Sequence, residues 1–208
     1  MKESSGSSRP CGETGQQALR HSAVLHQLHM RLFIGIPIAN AVVAELAAIS
    51  ARLRSAADRL RWAAPDTWHI TLQFLGTVSP EQYSCLTTHL GELRSQPVPI
   101  HLGTLGVFDR AGIFYAGVEL SPALVSLQQR VVTTTARYGF LPESRPFRPH
   151  ITLARSKGHD CGQQLAGLMT KLRIQPRFTP FAAHEFLLYE SHLRPGGSQY
   201  EVRARFPL

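Results

Sequence analysis

Two stretches of this 208-residue chain share a tetrapeptide: "WHITLQFLG" over residues 68–76 and "PHITLARSK" over residues 149–157. Each sets a histidine two residues before a threonine, His69 with Thr71 and His150 with Thr152. On an extended strand, residues two apart share a face. His69 and Thr71 are therefore expected to look one way and Ile70, Leu72 and Phe74 the other, with Ile151 and Leu153 opposing His150 and Thr152 in the second copy. The apolar face serves a core, and the polar face is left for chemistry. Imidazole has an unperturbed pKa of about 6.5, so of two facing histidines one can hold a proton near neutrality while the other lacks it. A neutral imidazole takes a proton from an attacking water and an imidazolium gives one to a departing oxygen, each effect being worth typically ~10² to 10⁴ in rate. Threonine hydroxyls beside them can donate to the non-bridging oxygens of one phosphate. A single His-x-Thr on a strand is commonly a solvated surface pair, whereas two copies at matching places of a repeat point to a shared site.

For the two motifs to meet, the chain around them has to repeat. "RLFIGI", residues 31–36, reads as a strand that Pro37 ends. From Ala39 to Leu60 the apolar positions Val42, Val43, Leu46, Ile49 and Leu53 approach a helical stripe. "HITLQFLG" is a strand, and in "SPEQYSCLTTHLGELRS" Ser79 can cap a helix with Pro80 at its first position, Gly91 weakening the last turn. "VPIHLGTLGVFD" and "GIFYAGVEL" read as two strands joined by a turn at Asp109 to Gly112. A second Ser-Pro predicts a helix from Pro122 to Arg137, ending near Gly139, before the strand "RPHITLARS" and a helix from Gly162 to Leu172. "TPFAAHEFLLYES" and "QYEVRARFPL" close the chain as strands around the turn "RPGGS". The order strand, helix, HITL strand, helix, strand occurs twice. The class is α+β, built as two half-domains with opposed, mostly antiparallel sheets. A parallel doubly wound sheet is disfavoured, since no G-x-G-x-x-G follows the first strand.

Composition narrows the setting. The length suits one domain with one sizeable core. A hydrophobic share of 43% against 17% charged residues is that of a globular protein. No apolar run approaches the ~18 residues that cross a bilayer, so no membrane role is expected. Cys11, Cys85 and Cys161 are scattered and form no C-x-x-C pair, which fits a reducing cytoplasm and argues against a disulfide framework or zinc knuckle. Residues 1–29 lack the features of a secretory signal and read as a disordered leader, with Met30 as the start of folded structure or of translation. The leader holds a net of +1 out of a formal +8, so the basic excess belongs to the domain and is suited to a polyanion, nucleic acid first.

The paired motifs, with the lead "RPFRPHITLAR", the opening "RLFIGIP" and the late "FLLYESHL", closely resemble the two-histidine phosphoesterase superfamily. Within it they are most similar to bacterial and archaeal RNA 2',3'-cyclic phosphodiesterases, also called 2'-5' RNA ligases. The likeness covers nearly all of residues 31–208. It implies a single bilobal domain with a pseudo-twofold axis, one motif per lobe, the two mostly antiparallel sheets flanking a central water-filled basic cleft and the helices outside. It also implies opening of a 2',3'-cyclic phosphate to a 2'-phosphomonoester without metal or other cofactor, with 2'-5' ligation as the reverse reaction. The partner would be an RNA or oligonucleotide with a cyclic phosphate end, with no obligate protein partner.

Carried onto this chain, the resemblance makes His69 the proton donor, His150 the proton acceptor, and Thr71 and Thr152 phosphate ligands; the near-identical motifs do not themselves tell donor from acceptor. Arg155 stands at a basic position that the family uses at the phosphate. It lies five residues after His150, so a regular strand turns it away unless a bulge or strand end follows Leu153. Arg148 shares the face of His150 by parity and is a candidate for the phosphate or the RNA backbone. Phe33 is a candidate aromatic face for a base, against the competing reading of a core phenylalanine. His89, His101, His159, His184 and His192 lack metal-ligand spacing and are assigned to surface or structure, and Trp62 and Trp68 to packing beside the cleft. The alternatives are a module that binds RNA or nucleotide without turnover, or a phosphodiesterase for 2'-5' oligonucleotides or nucleotide cyclic phosphates.

Overall fold

The first strand, β1, takes up Met30–Pro37, where branched and aromatic residues run together, and its middle five residues are buried. The computed structural model describes residues 29–54, 60–156, 161–172, 175–195 and 197–208. The expected leader up to residue 28, His159 and Gly196 of the last turn lie outside the described residues. After β1, helix α1 (Asn40–Leu53) buries Val42, Leu46, Ser50 and Leu53, one stripe at helical spacing. The sequence pattern extends this helix to residue 60, but Arg54 is already extended at φ −62° and ψ 134°. The stripe runs out at Leu53, and Leu60–Trp62 instead forms a short strand, β2.

β3 (His69–Val78) and β7 (His150–Ser156) carry the two motifs. Between them lie α2 (Pro80–Leu90), β4 (Val98–Ile100), β5 (Leu102–Phe108), β6 (Ile113–Val118) and α3 (Pro122–Ala136). Both helices start on the same Ser-Pro device. The Ser79 hydroxyl accepts from the Gln82 amide at 3.3 Å while the Gln82 side chain accepts from the Ser79 amide at 3.0 Å, and the Ser121 hydroxyl accepts from the Leu124 amide at 3.2 Å. The turn after β5 closes at Gly112, whose φ of 61° lies in the left-handed region that suits glycine. After β7 come α4 (Cys161–Lys171), β8 (Phe181–Ala183), β9 (Glu185–Arg194) and β10 (Gly197–Pro207).

Two of the expected strands are split. β4 and β8 pair only with each other, and β5 and β9 continue separately into the main sheets. Pro99 has no N–H to give a central ladder, so the segment around it suits a short, peripheral pair.

The main sheets are antiparallel throughout, ordered β10-β9-β1-β3 and β2-β7-β6-β5. β2 precedes β3 directly in the chain yet joins the other sheet, at β7. Helix α3 packs on β3 with α2 against it, and α4 packs on β7. Helix α1 is tied to α4 where Lys171 donates to the Leu53 carbonyl at 3.5 Å. Each sheet thus has helices outside, and β3 and β7 lie against each other at the seam. One continuous core, including Ile36, Ile70, Leu72, Leu86, Leu124, Ile151 and Leu153, joins the two halves. Among the described residues no helix is long and apolar enough to cross a membrane.

Candidate functional site

The two motif strands share an irregularity. In the pairing of β1 with β3, Gly35 faces Thr71 and Ile34 faces Gln73, leaving Leu72 without an opposite residue. In the pairing of β6 with β7, Tyr115 faces Thr152 and Phe114 faces Ala154, leaving Leu153 likewise unmatched. A bulge of this kind inverts the side-chain alternation beyond it. Leu72 and Gln73 are both buried, as are Leu153 and Ala154, and the next residue returns to the motif face. The expectation that Phe74 lies on the core side with Ile70 and Leu72 is therefore corrected: Phe74 is 59% exposed. Arg155, at the same distance from His150, is exposed for the same reason, and the bulge that its placement required sits at Leu153.

Both histidines are aimed by the chain just before them. The His69 Nδ1 lies 2.8 Å from the Thr67 carbonyl oxygen and the His150 Nδ1 2.8 Å from that of Arg148. A carbonyl only accepts, so each Nδ1 carries the hydrogen and each neutral ring keeps its lone pair on Nε2. A short 3-10 turn, Pro65–Thr67, sets the Thr67 carbonyl in place. The Arg148 side chain is exposed, and the contact that the structure gives this residue at His150 is through its backbone.

Aromatic rings back each imidazole. His69 lies with its ring centroid 4.6 Å from Phe33, 5.1 Å from Tyr200 and 5.6 Å from Tyr189, while Phe33 stacks on Tyr189 at 4.9 Å. Phe33 is only 3% exposed, which removes it as an open face for a base. It is a wall for His69. Gly35 leaves the room for this packing, because a Cβ there would lie 3.0 Å from the Ile70 carbonyl oxygen and 3.4 Å from Cδ2 of His69. On the other side, His150 meets Phe108 at 5.0 Å and Tyr115 at 5.6 Å, and those two rings stack at 4.1 Å. Trp68 is buried in the core, and Trp62 meets the buried Phe114 edge-on at 6.1 Å.

The surroundings depress both histidines. Burial pushes His69 from 6.5 down to about 4, with the charges of His150 and Arg155 adding to the effect and the Thr67 carbonyl opposing it. His150 is lowered as well, by burial first and then by Arg155, against the Arg148 carbonyl. Arg155 thus acts on both rings, and the two rings are close enough for one to act on the other. His69, His150 and Arg155 lie within electrostatic reach of one another, and strand alternation sets Thr71 and Thr152 on the faces of the two histidines, an arrangement that suits proton transfer around a phosphate.

Outside this site, Glu190, His192 and Glu201 cluster on the β9–β10 hairpin. Arg203 already pairs with both carboxylates there, at 3.7 Å and 3.0 Å. The sequence reading missed Phe74, Tyr115 and the Thr67 carbonyl. A charged residue at a supposed core position of the second copy, Arg155, was the available signal for the bulge, and the first copy hides it behind an apolar Phe74.

A family model described as the 2'-5' RNA ligase superfamily matches residues 16–192. A Geobacillus stearothermophilus protein named RNA 2',3'-cyclic phosphodiesterase is 29% identical over 181 residues, which take in 85% of this chain and 56% of that protein. A protein of the same name from Escherichia coli is 30% identical over 149 residues, 71% of this chain and 80% of that one. The crystal structure of E. coli LigT complexed with 3'-AMP matches with a TM-score of 0.73 at 28% identity, over 86% of this chain and 98% of that chain.

Proposed function

Since the chain belongs to the 2'-5' RNA ligase superfamily, we propose that it hydrolyses the 2',3'-cyclic phosphate at an RNA end to a 2'-phosphomonoester, with His69 and His150 as the acid and base. The observation that carries this reading is the matched pair of motif strands. Each holds its histidine by Nδ1 on a carbonyl two residues upstream, and each bulges one residue after its threonine.

In the proposed reaction a water oxygen bonds to phosphorus and the bond from phosphorus to O3' breaks. Nε2 of His150 takes the water proton, and Nε2–H of His69 supplies a proton to O3', leaving a 3'-hydroxyl and a 2'-phosphate. Thr71, Thr152 and Arg155 hold the non-bridging oxygens as charge builds on them. The division between His69 as donor and His150 as acceptor is the one that the family resemblance implies. Burial lowers both rings, His69 to about 4, so a His69 imidazolium is scarce in the free protein and strongly acidic once formed. The negative phosphate favours the proton on His69 as it binds. The exposed Phe74 ring, on the motif face of β3, offers the aromatic surface for a base that Phe33 does not.

The test is to incubate the protein, in EDTA, with a short RNA ending in a 2',3'-cyclic phosphate, beside His69→Ala and His150→Ala, and to identify the terminal isomer. The expected product is the 2'-phosphate, formed by the unmodified protein alone, with each variant slower by about 10³-fold or more. Full activity in either histidine variant refutes the assignment. Tight binding of the RNA without turnover by the unmodified protein would instead mark a binding module.

A further inference from the structure

β2 is an edge strand of the second sheet, and its middle residue, Arg61, stands directly opposite Arg155 of β7. Opposed residues in an antiparallel ladder present their side chains on the same face. Arg61 therefore shares the face of Arg155, Thr152 and His150. The next pair in the ladder, Trp62 with Ala154, turns inward, where Trp62 meets the buried Phe114.

Both arginines are exposed, and among the described residues neither has a carboxylate partner. Arg145, Arg203 and Arg205 do pair with carboxylates, Arg145 with Glu143, Arg203 with Glu190 and Glu201, and Arg205 with Glu185; what sets Arg61 and Arg155 apart is that they stand directly opposite each other. Like charges set directly across a ladder disfavour the pairing, so the two guanidiniums call for an anion that the protein does not supply. One cyclic phosphate carries a single negative charge, too little for both. The two arginines also differ in reach. Arg155 is among the charges that depress His69 and His150, and Arg61 is not. Arg61 thus lies one strand outward from the proton-transfer centre, with strands about 4.8 Å apart and long side chains free to spread further.

We propose that Arg61 binds the phosphodiester on the 5' side of the terminal nucleotide, the next phosphate along the RNA from the one at Arg155, and so selects polynucleotide ends over cyclic mononucleotides. This rests on the reading of the site as a cyclic phosphodiesterase. A guanidinium suits the role because its fork of donors grips two phosphate oxygens at once, where an ammonium acts as a point charge.

The experiment compares kcat/KM for a 2',3'-cyclic mononucleotide and for a short RNA with a 2',3'-cyclic phosphate end, across a salt series, in the unmodified protein, Arg61→Gln and Arg61→Lys. The loss in Arg61→Gln is expected to be about tenfold greater for the RNA than for the mononucleotide and to appear in KM. The slope of log kcat/KM against log salt for the RNA should shrink by about 0.7, the value for one contact to a single strand, and Arg61→Lys should restore the slope. Equal losses on both substrates, or no loss on either, overturn the proposal. Anisotropy titrations with an RNA bearing a 2'-phosphate end and with a 2'-phosphate mononucleotide read the same ratio without turnover. A protein that hydrolyses neither substrate but keeps the Arg61-dependent preference in binding would sink the catalytic reading and leave the Arg61 site standing; equal affinities would remove the site.

Discussion

The burial of His69 makes the protein's acid stability depend in part on that imidazole. Its pKa falls from 6.5 to about 4, so the folded chain resists a proton that the unfolded chain accepts. Where the unfolded state binds more protons, stability rises with pH. The contribution is therefore intact above about pH 6.5, is lost progressively as pH falls through the interval, and is fully lost below about 4. Between pH 7.5 and pH 5 the two values give a loss of about 2 kcal/mol from His69 alone. With a urea m-value of about 2 kcal/mol/M, as for small domains, that moves the midpoint by about 1 M. The assay is urea unfolding followed by circular dichroism at both pH values, for the unmodified protein and His69→Gln. The carboxylates and the burial of His150 remain in both proteins, so the comparison reads His69 together with its coupling to His150. The variant should lose about 2 kcal/mol less on acidification. Equal losses would mean that His69 accepts protons in the folded state as freely as in water, and the aromatic enclosure would then not explain its behaviour.

Two further outcomes follow from the same geometry. If His69 acts protonated and His150 neutral, kcat/KM reports their depressed values in the free protein and should fall by about tenfold per pH unit above pH 6.5; a flat profile from pH 7 to 8 counts against His69 as the donor. Gly35→Ala places a Cβ 3.0 Å from the Ile70 carbonyl oxygen and 3.4 Å from the His69 ring, so kcat should drop by about tenfold or more while KM changes little, and an unaltered kcat would show that the ring has room to spare.

The sequence made legible whatever depends on a segment's own residues. The HITL strands, the two Ser-Pro helix starts and the turn closed at Gly112 all have local causes, and each stands close to where the pattern places it. What it hid depends on pairing. The bulges at Leu72 and Leu153 arise from the register against β1 and β6, so alternation alone assigns Phe74 to the core. β2 is three residues long, too short for any period, and its transfer to the second sheet is a tertiary choice. Phe33 alternates correctly onto the motif face, but the rings of Tyr189 and Tyr200 that cover it come from the far end of the chain.

Duplication supplied two equal half-sites, and the chemistry needs unequal ones. The backbone is the same in both halves: a carbonyl holding Nδ1, a His-x-Thr face, a bulge, then a side chain returned to that face. The side chains then break the symmetry at two places. The returned residue is Phe74 in one half and Arg155 in the other, so the cation comes from one side and the exposed ring from the other. His69 is boxed by three rings and His150 by two, and the more enclosed histidine is the one driven down to about 4. Burial and the single Arg155 charge lower both rings, so each imidazole favours its neutral form in the free protein, and a bound anion is what would favour a proton on either of them.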